Sequence, residues 1–320
     1  MKYKVTILTE AGNKIGFGHY IRCKSIYEEL LINNISTTLI VNIYNYNFNE
    51  ENIIVLDWIK NLNYFENNNS QIVIVDSYLA NEDIYNKLKL IFYKVIVLDD
   101  YNRITYNADI LINPNTYFKN INYSNQNSIC VGGLEFVILR QEFLNYSRNK
   151  IVNSNIESIL ITLGGSDYRN LNYKLVSYFL KLDIINIFVI APEDFKIIFT
   201  DINVTILKLQ TATEMLNLIT NSDLVISGCG QTLHELAYLS KPTIGISIDE
   251  DQHYNQEFYL EKKFLLKKIH WNDDDLNLNI YKNYLMLNDR NIRTQIKKIT
   301  DTFNFTSGVA NIIKIIKLYI

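Results

Sequence analysis

The chain has 320 residues and only three cysteines, Cys23, Cys130 and Cys229. Their odd number, wide separation and lack of metal-ligand spacing exclude a disulfide framework and a thiolate metal site, and fit free thiols in a reducing compartment. No apolar run approaches the twenty or so residues that a bilayer-spanning helix needs. The first residues begin a strand pattern at once, with no apolar signal segment or cleavage site. A cytoplasmic protein without membrane insertion is therefore expected. Basic excess is also lacking. The formal net charge is -3, which argues against nucleic acid as a partner. No internal repeat recurs at a solenoid period. The glycine-rich loop near the N-terminus is not Gly-x-Gly-x-x-Gly, and no acidic residue ends the next strand, so a dinucleotide cofactor is disfavoured. No cofactor is expected.

What is present is ordinary globular material, 48% hydrophobic and 20% charged, rich in Asn, Ile, Lys and Tyr. Short apolar runs alternate with amphipathic helical stretches. Strands are predicted at Val5–Thr9, 36–41, Gln71–Asp76, Lys94–Asp100, 158–163, 187–190, 204–207, 224–227 and 243–248. Helices are predicted at His19–Leu31, Asn81–Phe92, Asn170–Leu182 and within 290–320. Such alternation implies parallel sheets covered by helices. A polar stretch near 145–157 breaks the pattern. The fold expected is α/β, with two doubly wound Rossmann-like domains facing across a cleft. Residues 1–150 form one domain. Residues 151–320 form the other and carry the C-terminal helices. Ligands would sit at the carboxyl ends of the strands.

Three loops at such ends carry candidate chemistry. The first runs from Glu10 to His19 and contains Gly12, Gly16 and Gly18, which allow close approach of backbone to ligand. His19 follows, at the start of a helix, where a neutral imidazole can serve as a general base. On the residues alone, a Gly-rich turn with a capping His fits equally well. The second loop is Leu163-Gly164-Gly165-Ser166-Asp167, with backbone N–H groups able to hold a phosphate. The third is Ser227-Gly228-Cys229-Gly230-Gln231-Thr232-Leu233-His234-Glu235. Its helix start suits a diphosphate, and Glu235 suits ribose hydroxyls. The competing reading is a capping box, with Thr232 as cap and Glu235 at the third helical position. The polar segment 249–256 holds Asp249, Glu250, Asp251, Gln252, His253 and Asn255. It reads as a solvated loop near a sugar or base rather than as a metal site. Cys229 shows no His–carboxylate partner, and His270 beside Trp271 reads as structural.

Taken together, Ala11-Gly12-Asn13-Lys14-Ile15-Gly16-Phe17-Gly18-His19-Tyr20-Ile21-Arg22-Cys23 resembles the N-terminal signature of the UDP-sugar hydrolases of the pseudaminic acid pathway. The resemblance continues at Val75-Asp76-Ser77-Tyr78, Leu98-Asp99-Asp100 and Leu139-Arg140-Gln141-Glu142-Phe143. It includes the segment 163–170 and the Ser227–Glu235 loop, and so covers most of residues 1–265. That family hydrolyses UDP-2,4-diacetamido-2,4,6-trideoxy-β-L-altropyranose and is related to the two-domain GT-B glycosyltransferases. The resemblance implies that His19 activates water, that Tyr78 lies near the sugar, and that Gly16 and Gly18 let the substrate approach. It implies nucleotide binding by Ser227, Gly228, Gly230, Gln231, Thr232 and Glu235. Gly164, Ser166, Gln252 and Asn255 would contact substrate, although Glu250-Asp251-Gln252 and His234 depart from the family pattern. The expected activity is release of UDP from a UDP-sugar by water, with inversion, in a monomer. A glycosyltransferase on the same scaffold, a hydrolysing UDP-sugar 2-epimerase and a non-catalytic nucleotide-sugar-binding protein are the alternatives.

The acidic residues of the 249–251 segment are consecutive, so neighbouring side chains diverge, and the diphosphate loop holds no carboxylate. Turnover is therefore expected to survive EDTA and to gain nothing from Mg²⁺. Loss of turnover in EDTA with recovery in Mg²⁺ would require a metal bridge to the diphosphate.

Overall fold

The structure is a computed structural model. It describes the chain except residues 1–3, 13–14, 45–49, 67–70, 148–151, 165–166, 168, 183–185, 193–194, 196–200, 304, 306 and 320, and except the side chain of Asp251. The chain folds into two compact units, Met1–Leu139 with Phe305–Ile320, and Arg140–Asn304. Among the described residues no helix is long and apolar enough to cross a membrane.

Unit 1 contains β1 (Lys4–Gly12), α1 (Gly18–Ile32), β2 (Ser36–Tyr44), β3 (Ile54–Val55), β4 (Ile72–Asp76), α2 (Glu82–Ile91), β5 (Lys94–Leu98), β6 (Ile110–Asn113) and β7 (Ile129–Gly132). These strands form one parallel sheet in the order β3-β2-β1-β4-β5-β6-β7. Alternate side chains of each strand feed opposite faces. Val5, Ile7, Ile72, Ile74, Ile96 and Ile110 pack into one layer with Cys23, Ile26 and Leu30 of α1. Leu8, Val73, Val75, Val95 and Val97 pack into the other with Tyr85 and Leu88 of α2 and with Trp58 and Phe65. Burial on both faces explains why these strands are continuous apolar runs.

Unit 2 contains α3 (Gln141–Leu144), β8 (Ser158–Thr162), α4 (Leu171–Phe179), β9 (Asn186–Ile190), β10 (Val204–Leu207), α5 (Ala212–Asn221), β11 (Leu224–Gly228), α6 (Gln231–Tyr238), β12 (Thr243–Ile246), α7 (His253–Glu261), α8 (Leu276–Asn288) and α9 (Arg290–Thr300). Its sheet is parallel, in the order β10-β9-β8-β11-β12. Both units are thus Rossmann-like. The strand order reverses at β1/β4 in unit 1 and at β8/β11 in unit 2, and ligands bind such sheets outside the carboxyl ends at the reversal.

The last helix, α10 (Gly308–Lys317), departs from the expected division at 150/151. It belongs to unit 1, because Val309, Ile312, Ile313 and Ile316 are buried in the α1 layer of that sheet. Burial of an aliphatic side chain contributes about 1.5–3 kcal/mol, so four of them hold this helix firmly. Asn311 Nδ2 also donates to the Glu135 carbonyl at 2.8 Å, and Lys317 Nζ to Asn33 Oδ1 at 2.8 Å. Strands β6 and β7 were not among the expected elements. Each has four residues, and β7 lies at the sheet edge with only partial burial, which leaves a weak apolar signal.

A Cβ at Gly308 would overlap the Val137 carbonyl oxygen and the backbone of Phe136. Gly308→Ala is therefore expected to destabilise unit 1 by about 1–3 kcal/mol, the usual range for overpacking. An unchanged calorimetric unfolding midpoint would contradict this docking of α10.

Candidate functional site

The β1–α1 loop closes on itself where the Gly12 and Gly16 amides and carbonyls pair at 3.1 and 2.8 Å. Gly16 has φ +79°, a conformation that favours glycine. Among the described residues, no atom beyond the chain neighbours and the helix's own backbone lies within 4 Å of a Cβ built on Gly16 or Gly18. Helix α1 starts at Gly18, so His19 and Arg22 stand one turn apart on the same side. Directly across the strand reversal, β4 ends in Asp76.

These residues form a closed ring of contacts. His19 Nδ1 lies 2.6 Å from Asp76 Oδ1. Arg22 donates Nε to Asp76 Oδ2 at 2.5 Å and Nη2 to Asp76 Oδ1 at 2.6 Å. The same guanidinium donates Nη1 to Asp100 Oδ1 at 2.7 Å and Nη2 to Asp100 Oδ2 at 3.0 Å. Asp100 also accepts from the Tyr78 hydroxyl at 2.6 Å and from Asn115 Nδ2 at 2.6 Å. The ring closes where the Tyr78 and His19 side chains meet edge to face, 4.3 Å between centroids. Glu10, on β1, accepts from Ser77 Oγ and from the Tyr78 amide, each at 2.6 Å, and so braces the turn that carries Tyr78.

A carboxylate offers about four acceptor positions. On Asp100 all four are used. On Asp76 three are used, and the Cys23 thiol, 3.6 Å from Oδ2, occupies the fourth. Burial opposes ionisation of both acids, but Arg22 outweighs it and holds both below the ordinary carboxylate range. Neither is thus available as a proton acceptor. Burial likewise opposes protonation of His19, and so does the helix N-terminus. The Asp76 carboxylate outweighs both and raises His19 above the ordinary imidazole value. Burial raises the Glu10 carboxyl, partly offset by the Ser77 hydrogen bond. Arg22, Asp76 and Asp100 sum to one negative charge with His19 neutral, and to zero when His19 takes a proton. With Nδ1–H donated to Asp76, the proton would enter at Nε2.

In unit 2, β11 runs into Gly228-Cys229-Gly230 at the strand reversal, and α6 begins at Gln231 with Gly230 as N-cap. Thr232 is the second helical residue and Gly230 offers no side chain as cap, so the Thr232–Glu235 capping box is not formed. Instead Glu235 is buried and gripped by Arg140, with Nε to Oε1 and Nη2 to Oε2 both at 2.7 Å. Glu235 is therefore not the open ribose acceptor expected from the sequence. Arg140 takes one position on each oxygen.

Gln252 Oε1 accepts from the amides of Cys229 at 2.9 Å and Ile248 at 3.2 Å, so this side chain holds the glycine loop in place. Asn255 is buried in α7. The Ser227 hydroxyl is buried and donates to the Gly228 carbonyl at 2.9 Å. Gly230, Gln231 and Thr232 are half-buried. Gly164 has φ +100°, and among the described residues nothing beyond its chain neighbours lies within 4 Å of a Cβ built on it, whereas Ser166 lies outside the described residues. Asp249 pairs with Arg169 at 3.2 Å and His253 with Glu257 at 2.9 Å, and no cluster of three metal-ligating side chains occurs among the described residues. Cys229 is fully buried, which pushes its thiol well up. His234 is also buried, 2.9 Å from the Tyr259 hydroxyl.

The structure joins His19 and Tyr78 in one network. It adds Arg22, Asp76, Asp100, Asn115 and Glu10 there and Arg140 in unit 2, none of which had been assigned a role. Two signals pointed to them: the carboxylates at strand ends, and the three-residue spacing of His19 and Arg22.

The fold is that of the GT-B glycosyltransferase-like class. The structure of MurG from Acinetobacter baumannii aligns with a TM-score of 0.63 and 17% identity, over 98% of this chain and 99% of that one. UDP-GlcNAc 2-epimerase from Neisseria meningitidis, bound to UDP-GlcNAc, aligns with a TM-score of 0.61 and 13% identity over 99% of both chains. Further glycosyltransferase structures share the fold at 9% and 11% identity. Residues 138–314 match the family described as "Protein of unknown function (DUF354)", and the chain belongs to that family. The uncharacterized protein MJ1062 of Methanocaldococcus jannaschii is 26% identical over 303 residues, which cover 84% of this chain. The chain spans 60% of the length of that relative.

Removing one partner of a buried ion pair typically costs about 3–5 kcal/mol, whereas replacing both with apolar groups is often neutral. Glu235→Ala is expected to destabilise unit 2 by about 3 kcal/mol, and Arg140→Met with Glu235→Leu to recover most of that. Equal denaturation midpoints for the wild type and Glu235→Ala would show that the pair contributes nothing.

Proposed function

We propose that this protein is a nucleotide-sugar hydrolase that releases UDP from a UDP-linked 2,4-diacetamido-2,4,6-trideoxy sugar, as in the pseudaminic acid pathway. The observation that carries the reading is the His19–Asp76 pair beside an open, glycine-lined loop at the strand reversal of unit 1. Asp76 fixes the Nδ1–H tautomer and leaves Nε2 as the base. His19 Nε2 takes a proton from water while the water oxygen bonds to the anomeric carbon. The bond from that carbon to the diphosphate oxygen breaks, and its electron pair leaves with UDP. Attack from the face opposite the leaving group inverts the centre. The proton completes the charge balance of the buried network.

Unit 2 would hold the diphosphate near Gly228, Gly230 and Thr232 at the start of α6, where the helix dipole favours an anion. Gly164 would contribute backbone on the neighbouring loop, and Glu235, paired with Arg140, would brace the start of α6 from within. Tyr78, Gly16 and Gly18 would face the sugar. Gln252 and Asn255 would support the loop from beneath. No metal or cofactor enters this account.

A hydrolysing 2-epimerase, the activity named for one solved structure of this fold, would need further acid–base carboxylates. Asp76 and Asp100 are saturated, which disfavours that reading. A glycosyltransferase differs only in the nucleophile, and release of UDP without any acceptor separates the two.

His19→Asn is expected to lower kcat by at least ~10²-fold, the lower end for a lost general base, with UDP affinity retained. The base form of a raised imidazole prevails only above its pKa. Activity in the wild type should therefore fall as pH drops through a value above the ordinary ~6.5 of histidine. Asp76→Asn should move that limb to lower pH and also reduce kcat. A folded His19→Asn protein with near-normal turnover on an accepted UDP-sugar would remove His19 from the chemistry.

A further inference from the structure

We infer that Arg22 is a positioning residue: one guanidinium, held by two carboxylates, fixes the His19 imidazole and the Tyr78 phenol as a single unit. The inference deepens the proposed function, since it rests on His19 as the base. The geometry is specific. Arg22 engages both oxygens of Asp76 and both oxygens of Asp100. Asp76 in turn holds the imidazole and Asp100 the phenol hydroxyl. Only a planar fork with five donors can bridge two carboxylates in this way. The ammonium of a lysine would sit against one acid and release the other.

Arg22 is fixed as tightly as the groups it holds. It is 7% exposed, lies one turn along α1 from His19, and comes from the same helix. Its Nη2 lies 3.1 Å from His19 Nδ1, yet that nitrogen can be served by Asp76 alone. The contact is electrostatic: a fixed cation beside the imidazole disfavours a second positive charge. The groups acting on His19 are Arg22 from its own helix, Asp76 from β4, Asp100 from beyond β5, and Glu10 from β1, with the Tyr78 ring against its edge. Asp76 and Asp100 favour the imidazolium, and Arg22 opposes it. Changes at Arg22 and at Asp100 must therefore move the titration of His19 in opposite directions, which a purely structural role would not require.

The test is an NMR titration of the imidazole signals of the full chain, which has four histidines. The His19 signal is assigned by its loss in His19→Asn. Arg22→Gln should raise the His19 midpoint and Asp100→Asn should lower it, each by about half a pH unit or more, as for loss of a nearby charge. Arg22→Gln leaves two buried acids without their cation, and so risks misfolding. Asp100→Asn keeps the Arg22–Asp76 fork and decides the matter alone in that case. In the same protein, kcat on an accepted UDP-sugar should fall roughly 10-fold, and adding Tyr78→Phe should cost little more, because the two changes break one chain of contacts. A His19 midpoint unmoved in folded Asp100→Asn would overturn the inference, as would independent, multiplicative losses from Asp100→Asn and Tyr78→Phe. Shifts of the expected sign in a protein that turns over no UDP-sugar would uphold the coupling and reject the hydrolase reading.

Discussion

Burying an arginine beside two carboxylates is costly unless every donor and acceptor is met, and that constraint organises the first unit. The requirement explains why β4 and β5 lead directly into acids, why Asn115 and Tyr78 converge on Asp100, and why Arg22 lies one turn into α1. An incomplete network would leave a desolvated charge and cost several kcal/mol. Once complete, the network has one vacancy for charge, and that vacancy is the imidazole of His19. The stability of the fold and the proton affinity of His19 are thus set by the same contacts.

Unit 2 solves a different problem with a similar topology. The reversal point at β8/β11 presents glycine-rich backbone and a helix whose N-cap is Gly230. The one buried acid on that helix, Glu235, is neutralised by Arg140, the N-cap of α3. Gln252 spends its carbonyl on two amides beneath the loop. Gln252 and the Arg140–Glu235 pair thus shape the loop and the helix that follows it.

Much of this was legible in the sequence. The apolar runs at 72–76 and 94–98 are long enough, and bounded sharply enough by acids, to be read as buried parallel strands. The three glycine loops fell at the ends of predicted strands, and in two of them a glycine takes a positive φ, Gly16 at +79° and Gly164 at +100°. What escaped depends on distance in the chain. Asp76 is 57 residues from His19 and Arg140 is 95 from Glu235, and no local pattern encodes such pairs. The helix α10 escaped for the same reason: its apolar face was visible, but the sheet it covers is assembled from the opposite end of the chain. Thr232 and Glu235 matched a capping box in spacing, yet the helix starts two residues earlier, with Gly230 as N-cap, and Arg140 claims the acid.

The claim at the centre is that water, activated in unit 1, bonds to the anomeric carbon while UDP departs intact. Turnover of a panel of UDP-linked amino sugars in ¹⁸O-labelled water, without any acceptor, tests it directly. The account predicts one ¹⁸O at C1 of the free sugar, with inverted configuration in the initial product, and none in UDP. Label in the phosphate product, or release of UDP only when an acceptor hydroxyl is supplied, would contradict it.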